Sequence, residues 1–382
     1  MTALSAATLD RLRHHMEQAG LDAVILGTPE NVAYATGYRS VAGDIFRNHR
    51  MTAVVTATEI RIAAPAADAG ALSEIAAHHE PFGTFFFEAT DPIHAAHATP
   101  RHGDFAAALA ATTAGVVGVV GVDDAIAPND LAGLAMSAVT RIGPCGPWMD
   151  ELRSTKMPEE VSRLAIAARL AEDAIQVALD AAAVGVTERD LATLITVSMS
   201  QGGGMPRFVV VTSGERSALS DARASDRPLR HGDLVRFDVG CTYNGYWSDI
   251  GRTAVVGGPS ELQASRYRAI LAGETAQLEA VRAGITGKEL FDVAVAAVEA
   301  AGLAPYRRHH CGHGIGTSVY EPPSISPVGA DAVLREGMVL CVETPFYEIG
   351  WGGMMVEDSF MVTTAGRQLL SHTDRELRVI PA

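Results

Sequence analysis

Apolar positions in the first part of the chain alternate between helical and strand-like spacing. The pattern predicts one helix from Leu9 to Gln18, followed by apolar runs that are typical of buried strands. These runs are Asp22 to Leu26, Met51 to Thr56 and Val116 to Val122. Because helices and strands alternate, the first part indicates a small α/β domain.

A turn-rich stretch, Gly143-Pro144-Cys145-Gly146-Pro147, interrupts this pattern and marks a natural break. A helix then begins near Pro158, because proline suits the first helical turn and the two glutamates that follow favour the positive end of the helix dipole. A chain of 382 residues is too long for one ordinary core. We therefore predict two domains, residues 1–150 and 151–382.

The second part contains a short internal sequence repeat. Gly185-Val186-Thr187-x-x-Asp190 returns as Gly284-Ile285-Thr286-x-x-Glu289, each a glycine that ends one helix before a capped start of the next. A pair of acidic residues follows each copy at a similar distance of about 50 residues. We interpret the halves as two helix pairs, each with a hairpin, in one pseudo-symmetric α+β domain. Chance similarity of short capping motifs is the alternative.

The first predicted hairpin carries two aspartates. Asn244-Gly245 lies between β-prone runs, which is a strong signal for a two-residue hairpin loop. Counting back from that loop places Asp238 opposite Gly251 and Asp249 opposite Gly240. The two carboxylates then share one face as diagonal neighbours, roughly 7 Å apart at the backbone. We expect the facing glycines to leave space for an ion.

The second acidic pair repeats this arrangement. Glu343 ends one apolar run, Glu357 follows another, and the turn-rich residues 350–353 lie between them, so a second hairpin is predicted. His313 stands between glycines in Gly312-His313-Gly314, where an ion can approach closely.

Four carboxylates and one imidazole form a hard, oxygen-rich ligand set suited to Mn, Fe, Co or Zn in a two-ion site. Each residue alone is equally compatible with a paired core carboxylate or a hydrogen-bonded histidine. All five together favour metal, since buried carboxylates without cations repel one another. Arg236 shares the face of Asp238, so it either pairs with a carboxylate or lies at the solvated end of the strand.

Charge and composition argue against several classes of partner and site. The formal charge of −15 argues against nucleic acid as a partner, because phosphate binding needs basic patches. No apolar stretch has the length of a membrane span or a signal segment, so a cytoplasmic protein is expected. The four cysteines show no Cys-x-x-Cys spacing and are interpreted as small buried hydrophobes. The glycine clusters at 202–204 and 312–316 lack a Gly-Lys-Ser/Thr ending and are interpreted as turns.

These motifs resemble the creatinase, prolidase and methionine aminopeptidase superfamily, whose catalytic domain has the pita-bread fold. The resemblance spans almost the whole chain and includes a smaller creatinase-type N-terminal domain. The segments that resemble the family's five ligand motifs are Phe237 to Gly240, Ser248 to Thr253, Gly312 to Gly316, Gly337 to Glu343 and Val356 to Asp358. The resemblance implies that Asp249 and Glu357 bridge two divalent ions. It also implies that Asp238 holds one ion while His313 and Glu343 complete the other.

The chain departs from the family at two positions. Asp221 and Tyr320 stand where the family's proline-directed peptidases carry histidines that contact substrate and assist proton transfer. Tyr320 can offer a hydroxyl hydrogen bond, and Asp221 can donate one only if its pKa is raised; packing or solvation is the alternative for both. Glu343 is the candidate proton relay. His309 and His310 are further candidates for substrate binding, of which an extended strand would turn at most one toward the site.

The first functional hypothesis is a metal-dependent hydrolase of the Xaa-Pro dipeptidase or aminopeptidase type, acting on a small dipeptide-like C–N bond. The second is a non-peptidase enzyme on the same ions, a lyase or hydrolase acting on a small carboxylate. The third is a catalytically silent binding protein. A homodimer is expected from the resemblance alone, in which Arg47, His49 and Arg50 either reach a neighbour's site or form a solvated loop.

Overall fold

A computed structural model describes residues 3–75, 77–92, 99–132, 138–329 and 331–382. The chain divides into two compact units, Met1–Leu152 and Arg153–Ala382. Within the described residues, no helix combines the length and the apolar character needed to cross a bilayer.

The first unit contains one six-stranded mixed sheet. Its strands are β1 (Ala23–Leu26), β2 (Thr52–Thr56), β3 (Ile60–Pro65), β4 (His78–Phe82), β5 (Gly118–Val122) and β6 (Val139–Pro144), in the order β4-β3-β2-β1-β5-β6. The helices are α1 (Ala3–Ala19), α2 (Pro29–Thr36), α3 (Val41–Ile45), α4 (Ala69–Leu72), α5 (Phe105–Thr113), α6 (Pro128–Ala132) and α7 (Gly146–Ser154), the last of which runs past the end of the unit. Strand β1 is antiparallel to β2 and parallel to β5.

Both faces of this sheet are covered, which explains why β1 is apolar at every position. Val24 and Leu26 belong to a core with Leu12 of α1, whereas Ile25 belongs to a second core with Leu109 of α5. A strand that is buried on both faces reads as a continuous apolar run. The predicted N-terminal helix and all three predicted strands are confirmed.

The second unit contains a larger sheet. Its main path is β12-β11-β13-β16-β10-β8-β7, with β9 on β8, β17 on β16 and β18 on β10. The strands are β7 (Met205–Ser213), β8 (Leu234–Tyr243), β9 (Tyr246–Trp247), β10 (Ile250–Val256), β11 (Gly312–Gly314), β12 (Glu321–Ser324), β13 (Val339–Glu343), β16 (Glu357–Thr363), β17 (Gly366–Leu369) and β18 (Arg378–Ile380). A separate two-stranded sheet joins β14 (Phe346–Glu348) to β15 (Gly352–Met354).

Four long helices pack with this sheet. They are α8 (Pro158–Ala181), α9 (Glu188–Gln201), α10 (Glu261–Ala280) and α11 (Gly287–Ala300). Leu278 of α10 and Leu290 of α11 share a core with Leu340 and Val342 of β13. The helix predicted to begin near Pro158 is confirmed, with Pro158 as its first residue.

The two copies of the internal repeat have the same backbone conformation. Gly185 and Gly284 have φ of 91° and 93°, and Thr187 and Thr286 both form capping boxes with nearly identical dihedral angles. Each threonine also forms an isolated bridge, Thr187 to Pro228 and Thr286 to Val333, a few residues before β8 and β13 respectively. The predicted pseudo-symmetry of two helix-pair halves is therefore confirmed.

Candidate metal centre

The first hairpin has the predicted register. Asn244 and Gly245 occupy its loop with φ of 48° and 87°, the positive values that a type I′ turn requires. Asp238 of β8 lies opposite Gly251 of β10, and Ser248 N donates to Cys241 O at 2.8 Å, in line with the same register. Both aspartates consequently project from one face of the sheet.

The glycines opposite the aspartates do not leave space for an ion, and that expectation is wrong. A Cβ on Gly251 would stand 2.6 Å from Met355 Cε, and one on Gly240 would stand 2.3 Å from the ring of Phe208. These glycines instead admit neighbouring side chains.

The second acidic pair joins the first through the sheet order. Glu343 of β13 lies directly opposite Glu357 of β16, so the predicted hairpin forms, with the β14–β15 ribbon at its tip. Gly251 of β10 pairs with Glu357, which places the two halves side by side. Ligand atoms of Asp249, His313 and Glu357 all lie within 4.8 Å of one another, and all three residues are buried.

His313 has the tautomer that a metal ligand needs. Its strand β11 pairs with β13, and its Nδ1 lies 3.0 Å from Gly314 O, so Nδ1 carries the hydrogen and donates it. Its Nε2 is buried, has no hydrogen-bond partner in the part of the chain that the structure describes, and lies 3.7 Å from Asp249 Oδ2. Burial lowers the pKa of His313 to about 4, so the ring is neutral. A neutral ring fixed by a backbone carbonyl presents its free lone pair to an ion.

The four carboxyls disfavour one another's ionisation. Burial raises the pKa of Glu343 to about 7, despite the opposing charge of Arg308. Burial, followed by the charges of neighbouring carboxylates, raises the pKa of Asp249 and Glu357 well above the ordinary range. Burial also raises the pKa of Asp238, although Arg236 opposes the change. Divalent cations would relieve this repulsion, and the donor set fits them.

Arg236 is fully buried, and it pairs with a carboxylate rather than lying at a solvated strand end. Its Nη1 donates to Asp238 Oδ2 at 2.9 Å. The rest of the guanidinium donates to the backbone carbonyls of Ser217, Leu219 and Ser220 at 2.7–3.1 Å. Arg236 thus ties Asp238 to the loop that precedes Asp221.

Asp221 and Tyr320 line one cavity of about 740 Å³ together with Asp238 and Asp249. Asp221 is exposed, and Ser220 Oγ donates to it at 3.2 Å. Tyr320 is 61% exposed, and its ring centroid lies 4.1 Å from that of His313. Burial of part of the ring, together with the nearby carboxylates, raises the pKa of Tyr320, so its hydroxyl remains protonated.

His310, but not His309, contacts the acidic cluster. His310 Nδ1 lies 3.0 Å from Glu343 Oε1, whereas His309 is exposed and packs its ring edge-on to His310 at 4.2 Å. The predicted alternation does not apply, because the strand begins only at Gly312. Burial, followed by the influence of His309, His313 and Arg308 nearby, lowers the pKa of His310 to about 3.

Glycine clusters differ in their roles. Residues 202–204 form the turn after α9, as predicted, with Gly203 at φ 85°. The prediction of a turn at 312–316 is wrong in its first part, because Gly312–Gly314 is strand β11. A Cβ on Gly314 would stand 2.4 Å from Pro322 O, so glycine allows the close approach of β12.

A buried ion network holds the segment that carries Tyr320. Glu321 accepts hydrogen bonds from Arg153 and Lys156, both at 2.9 Å, and from the backbone N–H of Thr317 at 3.0 Å. Burial alone would raise the pKa of Glu321, but Lys156 and Arg153 lower it overall. Arg153 and Lys156 therefore hold Glu321 in place, and Glu321 is the neighbour of Tyr320 in the cavity wall.

In the first unit, the basic cluster proposed to reach a neighbour's site is largely engaged within the unit itself. His49 Nε2 lies 2.8 Å from Asp68 Oδ2. Arg50 pairs with Asp130 and stacks 3.7 Å over the ring of Phe105. Arg47 is exposed. All four cysteines are buried and free, which confirms their interpretation as small hydrophobes.

Sequence reasoning missed Arg308 and Glu188. The positive charge of Arg308 opposes the rise in the pKa of Glu343. The basic run 307–310 just before His313 was the sequence feature that could have pointed to Arg308. Glu188 is fully buried and accepts hydrogen bonds from both ends of the loop that carries Asp221, namely from Ser213 and Ser225. No local pattern distinguishes Glu188 from an ordinary acidic residue in a first helical turn.

Two family profiles match the chain. The one described as Metallopeptidase family M24 matches residues 162–364, and the Creatinase/Prolidase N-terminal domain matches residues 8–155. Xaa-Pro dipeptidases of Pyrococcus furiosus and Lactobacillus helveticus are 38% and 37% identical over 229 and 237 residues, which is 59% and 61% of this chain. The chain spans just under two thirds of the length of these relatives, 66% and 64% respectively.

Solved structures match over nearly the full length. Prolidase from Pyrococcus furiosus is 28% identical with a TM-score of 0.75, over 95% of this chain and 100% of that one. The dipeptidase PepE from Mycobacterium ulcerans is 28% identical with a TM-score of 0.81, over 100% and 99%. The predicted superfamily and the pita-bread fold with a smaller N-terminal domain are confirmed.

Proposed function

The chain belongs to metallopeptidase family M24, and from that premise we propose that it is a metal-dependent hydrolase that cleaves the C–N bond of a small Xaa-Pro-like dipeptide. One observation carries the proposal. Ligand atoms of Asp249, His313 and Glu357 converge within 4.8 Å on a buried sheet face, beside the further carboxylates of Asp238 and Glu343.

We infer that these five residues hold two divalent ions, Mn, Co, Zn or Fe. By the resemblance, Asp249 and Glu357 would contact both ions; Asp249 lies just before β10, and Glu357 begins β16, which pairs with β10 at Gly251. Asp238 would hold one ion, while His313 and Glu343 would complete the other. The free Nε2 lone pair of His313 and the high pKa of the carboxyls support this assignment.

When bound, such ions supply a hydroxide near neutral pH and polarise the substrate carbonyl. The chain's own residues handle substrate and protons. Glu343 is the candidate to take a proton from the attacking water and return it to the leaving nitrogen. Tyr320 offers a neutral hydroxyl to the cavity, and Asp221 lies on the same wall. His309 and His310 flank the Glu343 side as candidates for substrate contact.

A non-peptidase reaction on a small carboxylate, a lyase or a hydrolase, is the second candidate. The cavity presents Asp221 and Tyr320 and so lacks imidazole protons at those two positions, which favours a changed substrate. A silent binding protein is the third, and the costly cluster of buried carboxyls argues against it. By the same resemblance, we propose a cytoplasmic homodimer that takes a small molecule or a dipeptide as its partner.

Metal analysis and an assay of the purified protein test these alternatives. We expect at least one transition ion per chain, activation by Mn or Co, and cleavage of Xaa-Pro dipeptides. Asp249→Ala and Glu357→Ala should lose both metal and turnover, whereas Asp292→Ala, an exposed acid on α11, should lose neither.

Three other outcomes would contradict the proposal or favour another candidate function. Full activity in either cluster variant would refute the site assignment. Inactivity on dipeptides with turnover of a small non-peptide carboxylate would favour the second candidate. A protein without bound metal and without activation would indicate the binding protein.

A further inference from the structure

The two halves of the larger sheet meet at a short junction between β10 and β16. Strands β8 and β10 pair through six residue pairs, and β13 and β16 through five. In the part of the chain that the structure describes, β10 and β16 pair only through Gly251 and Glu357. Asp249 lies just before β10, and Glu357 begins β16. The separation of these two proposed metal ligands is therefore set across a junction with little backbone pairing.

Arg252 holds this junction from one face of the sheet. Its Nη1 donates to the carbonyl oxygens of the paired residues themselves, Gly251 at 2.9 Å and Glu357 at 2.6 Å. Its Nη2 donates to Asp358 Oδ1 at 2.8 Å and to Thr373 Oγ1 at 3.0 Å. Because Arg252 is only 3% exposed, water competes little for these charge-assisted hydrogen bonds.

The guanidinium of Arg252 is itself anchored from outside the two strands. Glu172 of α8 lies 3.5 Å from Arg252 Nη2. The same carboxylate accepts hydrogen bonds from the backbone N–H groups of His372 and Thr373, at 2.8 Å and 2.6 Å. Arg252 therefore connects the junction to α8 and to the C-terminal segment, which limits its freedom to move with either strand.

Thr253 holds the same junction from the opposite face, since successive residues of a strand point to opposite faces of the sheet. Its hydroxyl donates to Met355 O and accepts from Met355 N, both at 2.9 Å. Met355 comes two residues before Glu357, and Thr253 is 1% exposed. The buried hydroxyl thus satisfies two backbone groups next to the point where the pairing of β10 with β16 stops.

We propose that Arg252 and Thr253 are positioning residues that set the spacing of Asp249 and Glu357, and through it the affinity of the chain for its metal ions. This inference rests on the metal centre of the proposed function. Ionised carboxylates repel one another, so Asp249 and Glu357 tend to widen a junction that has one backbone pair. Buried donors on both faces oppose that widening and keep the ligand atoms within 4.8 Å of one another.

Calorimetric titration of Mn²⁺ into the full-length, metal-free protein tests the inference. Arg252→Lys keeps the charge but loses the planar donor fork, and Thr253→Val keeps the shape but loses the hydroxyl. Each variant should raise the Kd for Mn²⁺ roughly 10- to 100-fold, the range typical of residues that orient metal ligands. Thr253→Ser keeps the hydroxyl and should bind Mn²⁺ as the wild type does. If Arg252→Lys does not fold, the comparison of Thr253→Val with Thr253→Ser still decides.

A second comparison separates positioning from general support of the fold. Ile195 is fully buried on α9, which packs against α8 and β7, so Ile195→Ala should unfold at lower urea concentration yet keep the wild-type Kd for Mn²⁺. Electron paramagnetic resonance then reports on the ions directly. The wild type with two equivalents of Mn²⁺ should show a spin-coupled pair, and Arg252→Lys at the same loading should show more uncoupled Mn²⁺.

An unchanged Kd in Arg252→Lys or Thr253→Val, an equal loss of affinity in Ile195→Ala or Thr253→Ser, or identical resonance spectra of the wild type and Arg252→Lys would overturn the inference. A wild type that binds Mn²⁺ but cleaves no dipeptide would contradict the proposed function, and the comparison of affinities would still decide the role of Arg252 and Thr253. A wild type that binds no Mn²⁺ would overturn both.

Discussion

Replacing Glu343 by glutamine should stabilise the metal-free protein at neutral and higher pH. Glu343 is 7% exposed, lies opposite Glu357, and has a pKa raised from 4.5 to about 7, first by burial. A carboxyl whose pKa is higher in the folded than in the unfolded protein makes its full contribution to stability at pH values below its pKa in the unfolded protein. That contribution is lost as the pH rises through the pKa in the folded protein, so stability should fall between about pH 4.5 and pH 7.

The size of the effect follows from the two pKa values. The difference between 4.5 and about 7, at about 1.4 kcal/mol per pKa unit, corresponds to a destabilisation of about 3 kcal/mol at pH 8. Glutamine has nearly the same shape and cannot ionise, so Glu343→Gln removes this penalty. The metal-free variant should be more stable than the metal-free wild type by about 3 kcal/mol at pH 8 and equal to it near pH 4.5.

Added Mn²⁺ should reverse the order. The wild type gains the free energy of ion binding, whereas the variant, with a neutral and weaker ligand, gains less. Urea unfolding, followed by circular dichroism at several pH values with and without Mn²⁺, measures both differences. Glu279→Gln, which changes an exposed glutamate on α10, is the control and should follow the wild type throughout.

A metal-free variant that is less stable than the wild type at pH 8, or a difference that does not depend on pH, would refute the reasoning. Either result would mean that burial at this face does not disfavour the ionised form of Glu343.

Two further predictions concern the cavity wall. Glu188→Gln should lower the free energy of unfolding by about 2–4 kcal/mol, because it disrupts a fully buried carboxylate that accepts hydrogen bonds from Ser213 and Ser225. The substitution should also raise KM, since residues 221–224 line the cavity. Urea unfolding measures the change in stability, and steady-state kinetics measure KM. An unchanged KM in a destabilised variant would mean that this loop does not contribute to substrate binding. Asp221→His should increase the rate of Xaa-Pro cleavage by placing an imidazole at the cavity wall, as measured by kcat/KM. No change would mean that position 221 does not take the place of the family's histidine.

Local sequence signals determined the parts of the site that depend on short-range geometry. The Asn244-Gly245 turn fixed the register of the first hairpin, and the period of two along a strand placed Asp238 and Asp249 on one face. Threonine capping signals likewise located the starts of α9 and α11. These features need only neighbours in the chain, so they could be inferred without a structure.

Other features depend on which distant segments meet, and they were missed or wrongly predicted. Met355 fills the space opposite Asp238 that was expected to be empty, because β15 and β16 bring it there from the other half. His310 contacts Glu343 although no strand alternation applies to it. No spacing rule in the sequence shows that Arg236 pairs with Asp238, while Arg308 has no hydrogen bond or ion pair among the residues that the structure describes.

The sequence by itself determined the element types, the two capped helix starts and the five acidic and imidazole groups, since propensity, capping and turn chemistry act over a few residues. Only the tertiary structure decided how the two halves meet at Gly251 and Glu357, and therefore that Asp249, Glu357 and His313 converge. It also decided that Arg236 is fully engaged, whereas Arg308 forms no hydrogen bond or ion pair with any residue that the structure describes. The physical reason is that burial, mutual repulsion of carboxyls and hydrogen-bond partners are properties of the assembled sheet and not of any single segment.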